Sequence, residues 1–142
     1  MTLRRKQYLD LLLLADEQEE MIDKYLNNGK MYILKDGEKV VGEYILTAQN
    51  NILEIKNIAV KPSFQKMGYG KVMIDHIVKN NIDKYSIIQV GTGESPLTIP
   101  FYKKCGFEYS HRIKNFFTEN YDHPIYEAGV QLKDMVYFKI KR

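Results

Sequence analysis

The stretch from Ile52 to Val78 constrains this chain most, because it reads as a strand, a glycine loop and a helix in direct succession. Ile52-Leu53-Glu54-Ile55-Lys56-Asn57-Ile58-Ala59-Val60 is rich in β-branched residues and is closed by the turn at Lys61-Pro62-Ser63, which predicts a strand. After the loop Gln65-Lys66-Met67-Gly68-Tyr69-Gly70, the apolar residues Tyr69, Val72, Met73 and Ile77 recur at helical spacing, and Asn80-Asn81 supplies the stop. The first turn of such a helix has N–H groups without partners, and its dipole adds positive charge there. A glycine loop lets an anion reach those groups, and Lys61, Lys66 and Lys71 surround it with charge.

Spacing narrows the choice among phosphate-binding loops. A Walker loop places a glycine five residues before its Gly-Lys pair and a hydroxyl residue after it; here those positions hold Gln65 and Val72. A dinucleotide fingerprint requires a third glycine where the chain has Met73. What fits is Ile58-Ala59-Val60-x-Pro62 followed by Gln65-x-x-Gly68-x-Gly70, which resembles the coenzyme A signature of the GCN5-related N-acetyltransferases (the GNAT family). Phe101-Tyr102-Lys103-Lys104-Cys105-Gly106-Phe107 is similar to that family's tyrosine-bearing helix closed by Gly-Phe.

The resemblance implies an α/β (α+β) GNAT fold in residues 1–142: a central mixed, mostly antiparallel, splayed sheet of about six to seven strands flanked by about four helices. It implies an acetyltransferase using acetyl-CoA as co-substrate, with no metal. By the same resemblance Ile58, Ala59 and Val60 contact pantetheine and the oxyanion through their main chain. Gln65, Lys66, Met67, Gly68, Tyr69, Gly70 and Lys71 hold the pyrophosphate. Tyr102 is the general acid for the departing thiolate. Glu94-Ser95 stands where the family often has an asparagine contacting pantetheine; a glutamate cannot donate as an amide does, so Ser95 is the substitute candidate.

A lysine-like amine is only about one part in a thousand neutral at pH 7, a barrier near 4 kcal/mol. A positioned base typically recovers a factor of about 10² to 10⁴. Glu54 occupies the position where the histone-acetylating branch of the family places its glutamate; Glu43 on the neighbouring strand is the rival, and water is the third option. Lys56 and Asn57 are further residues that could face the acceptor.

The rest of the chain fills in around this unit. Thr2 to Lys6 is the only stretch that could supply the family's first strand. Tyr8 to Ala15 reads as a short helix, and Asp16-x-x-Glu19 as an N-cap box opening a second, with Met21, Ile22, Tyr25 and Leu26 as its inner stripe. Met31 to Leu34 and Val40 to Thr47 predict strands joined at Asp36-Gly37-Glu38. Ser86 to Val90 predicts a buried strand broken by Gly91-Thr92-Gly93, and Leu97 to Cys105 a helix. Phe107 to Phe117 and Val130 to Ile140 predict a closing antiparallel pair. The aromatic loop Thr118 to Gly129 between them could line a substrate pocket, pack on a partner subunit or pack on itself.

The apolar run Leu11 to Leu14 is too short for a membrane span and lacks a cleavage site, so neither a signal peptide nor a membrane association is expected. The single Cys105 fits a reducing cytoplasm and reads as packing, and His76, His111 and His123 lack metal spacing. A net charge of +3 is too weak to call for nucleic acid. The partner expected is therefore a small-molecule or peptide amine, with a homodimer left open. An idle acyl-CoA-binding module and an aminoacyl-tRNA-acetylating toxin remain the alternative functions.

Overall fold

The computed structural model describes residues 5–141. Two helices, α1 (Leu9–Ala15) and α2 (Glu19–Leu26), precede strands β1 (Lys30–Asp36), β2 (Lys39–Gln49) and β3 (Ile52–Val60). Next come helix α3 (Tyr69–Asn81), strand β4 (Ile87–Gly93), helix α4 (Ile99–Lys104), strand β5 (Glu108–Ile113) and helix α5 (Phe116–Asn120). A short hairpin of β6 (Tyr126–Glu127) and β7 (Val130–Gln131) leads to β8 (Met135–Lys141). The main sheet has six strands in the order β1-β2-β3-β4-β8-β5, antiparallel except where β3 lies parallel to β4.

One extra residue in β3 organises the centre. Leu46 pairs with Ile55 and Ile45 with Asn57, so Lys56 has no counterpart and forms a bulge. A one-residue insertion reverses which face later side chains take. Leu53 and Ile55 therefore pack into the core under α3, beside Met73, Ile74 and Ile77. Past the bulge, Asn57 turns to the other face, where it bonds α1 and α2. Pairing of β3 with β4 covers only Ile52 to Ile55 against Ile87 to Val90. Beyond it the strands part, and a V-shaped gap opens between Asn57–Val60 and Gly91–Gly93.

Several expectations need correction. Arg5 and Lys6 are helical, so they supply no first strand; Thr2 to Arg4 lie outside the described residues. Asp16 is not the cap of α2: Gln18 flanks that helix without a side-chain cap bond, because the Asp16 carboxylate is taken by two tyrosine hydroxyls. Gly91-Thr92-Gly93 does not break β4 but continues it against β8. A Cβ on Gly91 would come 2.9 Å from the Met135 sulfur, and one on Gly93 2.5 Å from Leu132, so these glycines mark close approach. The strand expected over Phe107 to Phe117 ends at Ile113, where Asn115 (φ 57°) takes a left-handed turn into α5. The strand expected over Val130 to Ile140 is divided at Asp134, whose carboxylate accepts the Asn115 N–H (2.9 Å) and pairs with Arg112 (3.0 Å).

Candidate functional site

The loop before α3 has the backbone that anion binding requires. Gly68 is the N-cap at φ 90°, and Lys66 also has positive φ (66°), so the chain curls and leaves the N–H groups of Tyr69, Gly70 and Lys71 at an open helix end. A helix of 13 residues carries a full dipole to that point. Gln65 donates from Nε2 to the Val60 carbonyl (3.0 Å), tying the loop to the end of β3. Gly70 has a second reason to lack a side chain, since its Cβ would sit 3.1 Å from the Phe101 ring of α4.

A cavity of about 560 Å³ runs from this helix end to the gap, within the range of cofactor-sized sites. Of the residues singled out from the sequence, Ile58, Ala59, Val60, Gln65, Lys66, Gly68, Tyr69, Gly70, Lys71 and Tyr102 all line it. Met67 is exposed and does not. Lys71 is paired with Asp75 one turn on (2.8 Å). Ser95 is buried and lines neither this cavity nor its neighbour; its Oγ accepts the Leu97 N–H (3.2 Å) ahead of α4. Glu94 forms a two-point pair with Arg112 (3.1 and 3.2 Å).

Tyr102 stands where two cavities meet. Its ring packs on Phe107 and Phe138, it is only 6% exposed, and its hydroxyl has no hydrogen-bond partner among the described residues. Burial raises its pKa, and the charges of Cys105 and Glu127 add to the effect. A phenol held protonated in this way is competent to donate a proton.

The second cavity, about 360 Å³, shares Leu14, Ile58, Thr98 and Tyr102 with the first and extends through the V-shaped gap. Carboxylates of Asp16, Glu17 and Glu127 line it, with the rings of Phe117, Tyr121 and Tyr126. The aromatic loop is thus a wall of this cavity, latched by Tyr121 Oη to Asp16 (2.5 Å) and by the Asp122 N–H to Gln18 Oε1 (3.1 Å). Asp16 also accepts from Tyr25 Oη (3.0 Å), and Asn57 Nδ2 in turn donates to that hydroxyl (2.9 Å). Burial raises the Asp16 pKa, while the two tyrosine hydroxyls, the Gln18 backbone and then Lys56 oppose it.

Neither carboxylate singled out from the sequence as a base lines this cavity. Glu54 is paired with Lys56 (3.2 Å), accepts from Gln89 Nε2 (3.0 Å) and faces an adjoining smaller cavity. Glu43 is 0% exposed, both its oxygens lack partners among the described residues, and burial pushes its pKa up to about 8. Asp16 and Glu127 went unnoticed as site residues because a cap pattern accounted for one and a loop for the other. Among the described residues no cluster of His, Cys, Asp or Glu could hold a metal ion, and no helix is long and apolar enough to cross a membrane.

Residues 27–109 match the family description "Acetyltransferase (GNAT) domain". The chain is 41% identical over 130 residues to the uncharacterized N-acetyltransferase YvbK of Bacillus subtilis strain 168, covering 89% of this chain and 84% of that protein. A crystal structure of a Bacillus subtilis acetyltransferase in complex with CoA superimposes with a TM-score of 0.87 at 38% identity, covering 96% of this chain and 91% of that one. A GNAT family acetyltransferase from Elizabethkingia anophelis with acetyl-CoA bound gives 0.87 at 39% identity, covering 94% and 90%.

Proposed function

The chain belongs to the GNAT acetyltransferase family, and from that premise we propose that it moves the acetyl group of acetyl-CoA to a primary amine by direct attack on the thioester. The observation that carries the reading is the meeting of two cavities at Tyr102 and Ile58, one running from an anion-binding helix end and the other lined by carboxylates and aromatic rings. In this reading the N–H groups at the start of α3 hold the pyrophosphate, with Lys66 beside it. The parted edge of β3 from Ile58 to Val60 has main-chain groups free of β4 and offers them to the pantetheine arm and the oxyanion. The amine nitrogen bonds to the carbonyl carbon, the C–S bond breaks, and Tyr102 gives its proton to the sulfur.

The carboxylates around the second cavity favour a cationic amine over a polyanion such as tRNA. A cytoplasmic setting forms part of the proposal, supported by the single unpaired Cys105.

Thiol release from acetyl-CoA, followed with and without tyramine, benzylamine, 1,4-diaminobutane and a peptide with a free N-terminus, tests the reading. Amine-dependent release is expected, and Tyr102→Phe should lower kcat by about 10² or more while leaving the calorimetric affinity for coenzyme A near that of the wild type. Binding of coenzyme A without release to any amine would identify an idle binding module instead.

A further inference from the structure

We infer that Asp16, on the turn between α1 and α2, is the group that takes the proton of the acceptor's ammonium, and that Tyr25, Tyr121 and Asn57 position it for that task. The inference rests on the acetyltransfer reading above. A side-chain base takes the proton directly or through one water, and Glu43, sealed on all sides, can do neither. Glu54 is already shared between Lys56 and Gln89 in the adjoining cavity. Asp16 lines the acceptor cavity and lies two residues from Leu14, where that cavity meets the cofactor cavity.

Its surroundings are those of a positioned base. Tyr25 Oη holds Oδ2 and Tyr121 Oη holds Oδ1, so the carboxylate cannot rotate. Of the roughly four lone-pair sites of a carboxylate, the two hydroxyls and the Gln18 N–H occupy three, which leaves one for an incoming N–H. Tyr25 is fixed from behind by Asn57, which is only 3% exposed and also donates to the Leu12 carbonyl (3.1 Å). The charged and titratable groups facing Asp16 are Tyr25 from α2, Tyr121 from the aromatic loop, and Lys56 from β3. Glu17 adds negative charge near Tyr121, while Glu43, near Tyr25, keeps its proton up to about pH 8. Burial makes the carboxylate more basic than an exposed one, and the hydroxyls keep that rise in bounds.

The protons balance. The ammonium gives one to Asp16, the neutral nitrogen forms the C–N bond as the C–S bond breaks, and sulfur takes the proton of Tyr102. The nitrogen's second proton restores Tyr102, and Asp16 releases its own to solvent.

The test is the pH profile of kcat/KM with whichever amine of the panel named above reacts fastest. Asp16→Asn should lower kcat/KM about 10² to 10³-fold at pH 7, and the deficit should shrink about tenfold per pH unit as the amine itself deprotonates. Tyr121→Phe removes a hydrogen bond that favours the ionised carboxylate, so the acid limb should move to higher pH with calorimetric affinity for coenzyme A unchanged. A uniform loss across pH in Asp16→Asn, with an unmoved limb in Tyr121→Phe, would reduce Asp16 to a latch for the loop and overturn the proposal. So would disappearance of the acid limb in Glu127→Gln, which would make Glu127 the base. Wild-type protein that acetylates no amine defeats the parent reading rather than this one.

Discussion

Glu43 is the residue whose environment least resembles that of its type. Its carboxyl is sealed from solvent and has no hydrogen-bond partner among the described residues, and its pKa of about 8 against an ordinary 4.5 gives a definite sign. The unfolded chain ionises near pH 4.5, while the folded one keeps its proton up to about pH 8, so unfolding releases a proton between those values. Stability is therefore greatest below that window and falls as pH rises through it, by up to about 1.4 kcal/mol per unit. Glu43→Gln should match the wild type at pH 5 and exceed it at pH 8 by on the order of 3 kcal/mol. Urea denaturation at the two pH values checks this, and equal pH dependence in both proteins would refute it. Glu43 lies diagonal to Asn57 on one face of the β2–β3 ladder, where the Asn57 Oδ1 also lacks a partner among the described residues. The sequence gives Glu43 and Glu54 the same appearance, acids on neighbouring strands, and only burial separates a sealed acid from an ion-paired one.

At the scale of elements, the Lys56 bulge and the loop before α3 each turn a local rule into a site. Deleting Lys56 makes the pairs Leu46–Ile55 and Ile45–Asn57 consecutive, so every side chain keeps its face and β3 loses only the kink that the bulge puts into it. The variant should unfold cooperatively but bind coenzyme A more weakly by calorimetry, because β3 loses the bend that helps part it from β4, whereas unchanged affinity would show that the bulge is dispensable. Gly68→Ala places a Cβ in open space but holds it at φ 90°, so its penalty is conformational, about 1 kcal/mol. Thermal denaturation should show that loss, and coenzyme A affinity should fall with it. The strand–loop–helix unit was legible because β-branching, a turn proline and glycine spacing all act within a few residues. Asn115 and Asp134 hid the end of β5 and the start of β8, because the bond that breaks both strands joins residues that are remote in sequence.

Over the whole molecule, opposite charges serve the two cavities. The cavity proposed for the cofactor has Lys66 and Lys71 at its helix end, while the cavity proposed for the acceptor gathers Asp16, Glu17 and Glu127 against Lys56, its single cation among the described residues. Lys66→Gln should weaken coenzyme A binding by about 1 kcal/mol, roughly fivefold, at low salt, and by less as ionic strength rises. Calorimetry at two salt concentrations decides this, and an unchanged affinity at low salt would remove Lys66 from the phosphate site.

By itself, the sequence determined the glycine turn before α3, the tyrosine helix and most of the sheet, since each depends on propensity and spacing between near neighbours. Tertiary structure alone decided where the acceptor cavity lies and which acids face it. That cavity is assembled from the turn after α1, the bulge in β3, the end of β4 and the aromatic loop, and a carboxylate's role there depends on water and partners brought from distant parts of the chain.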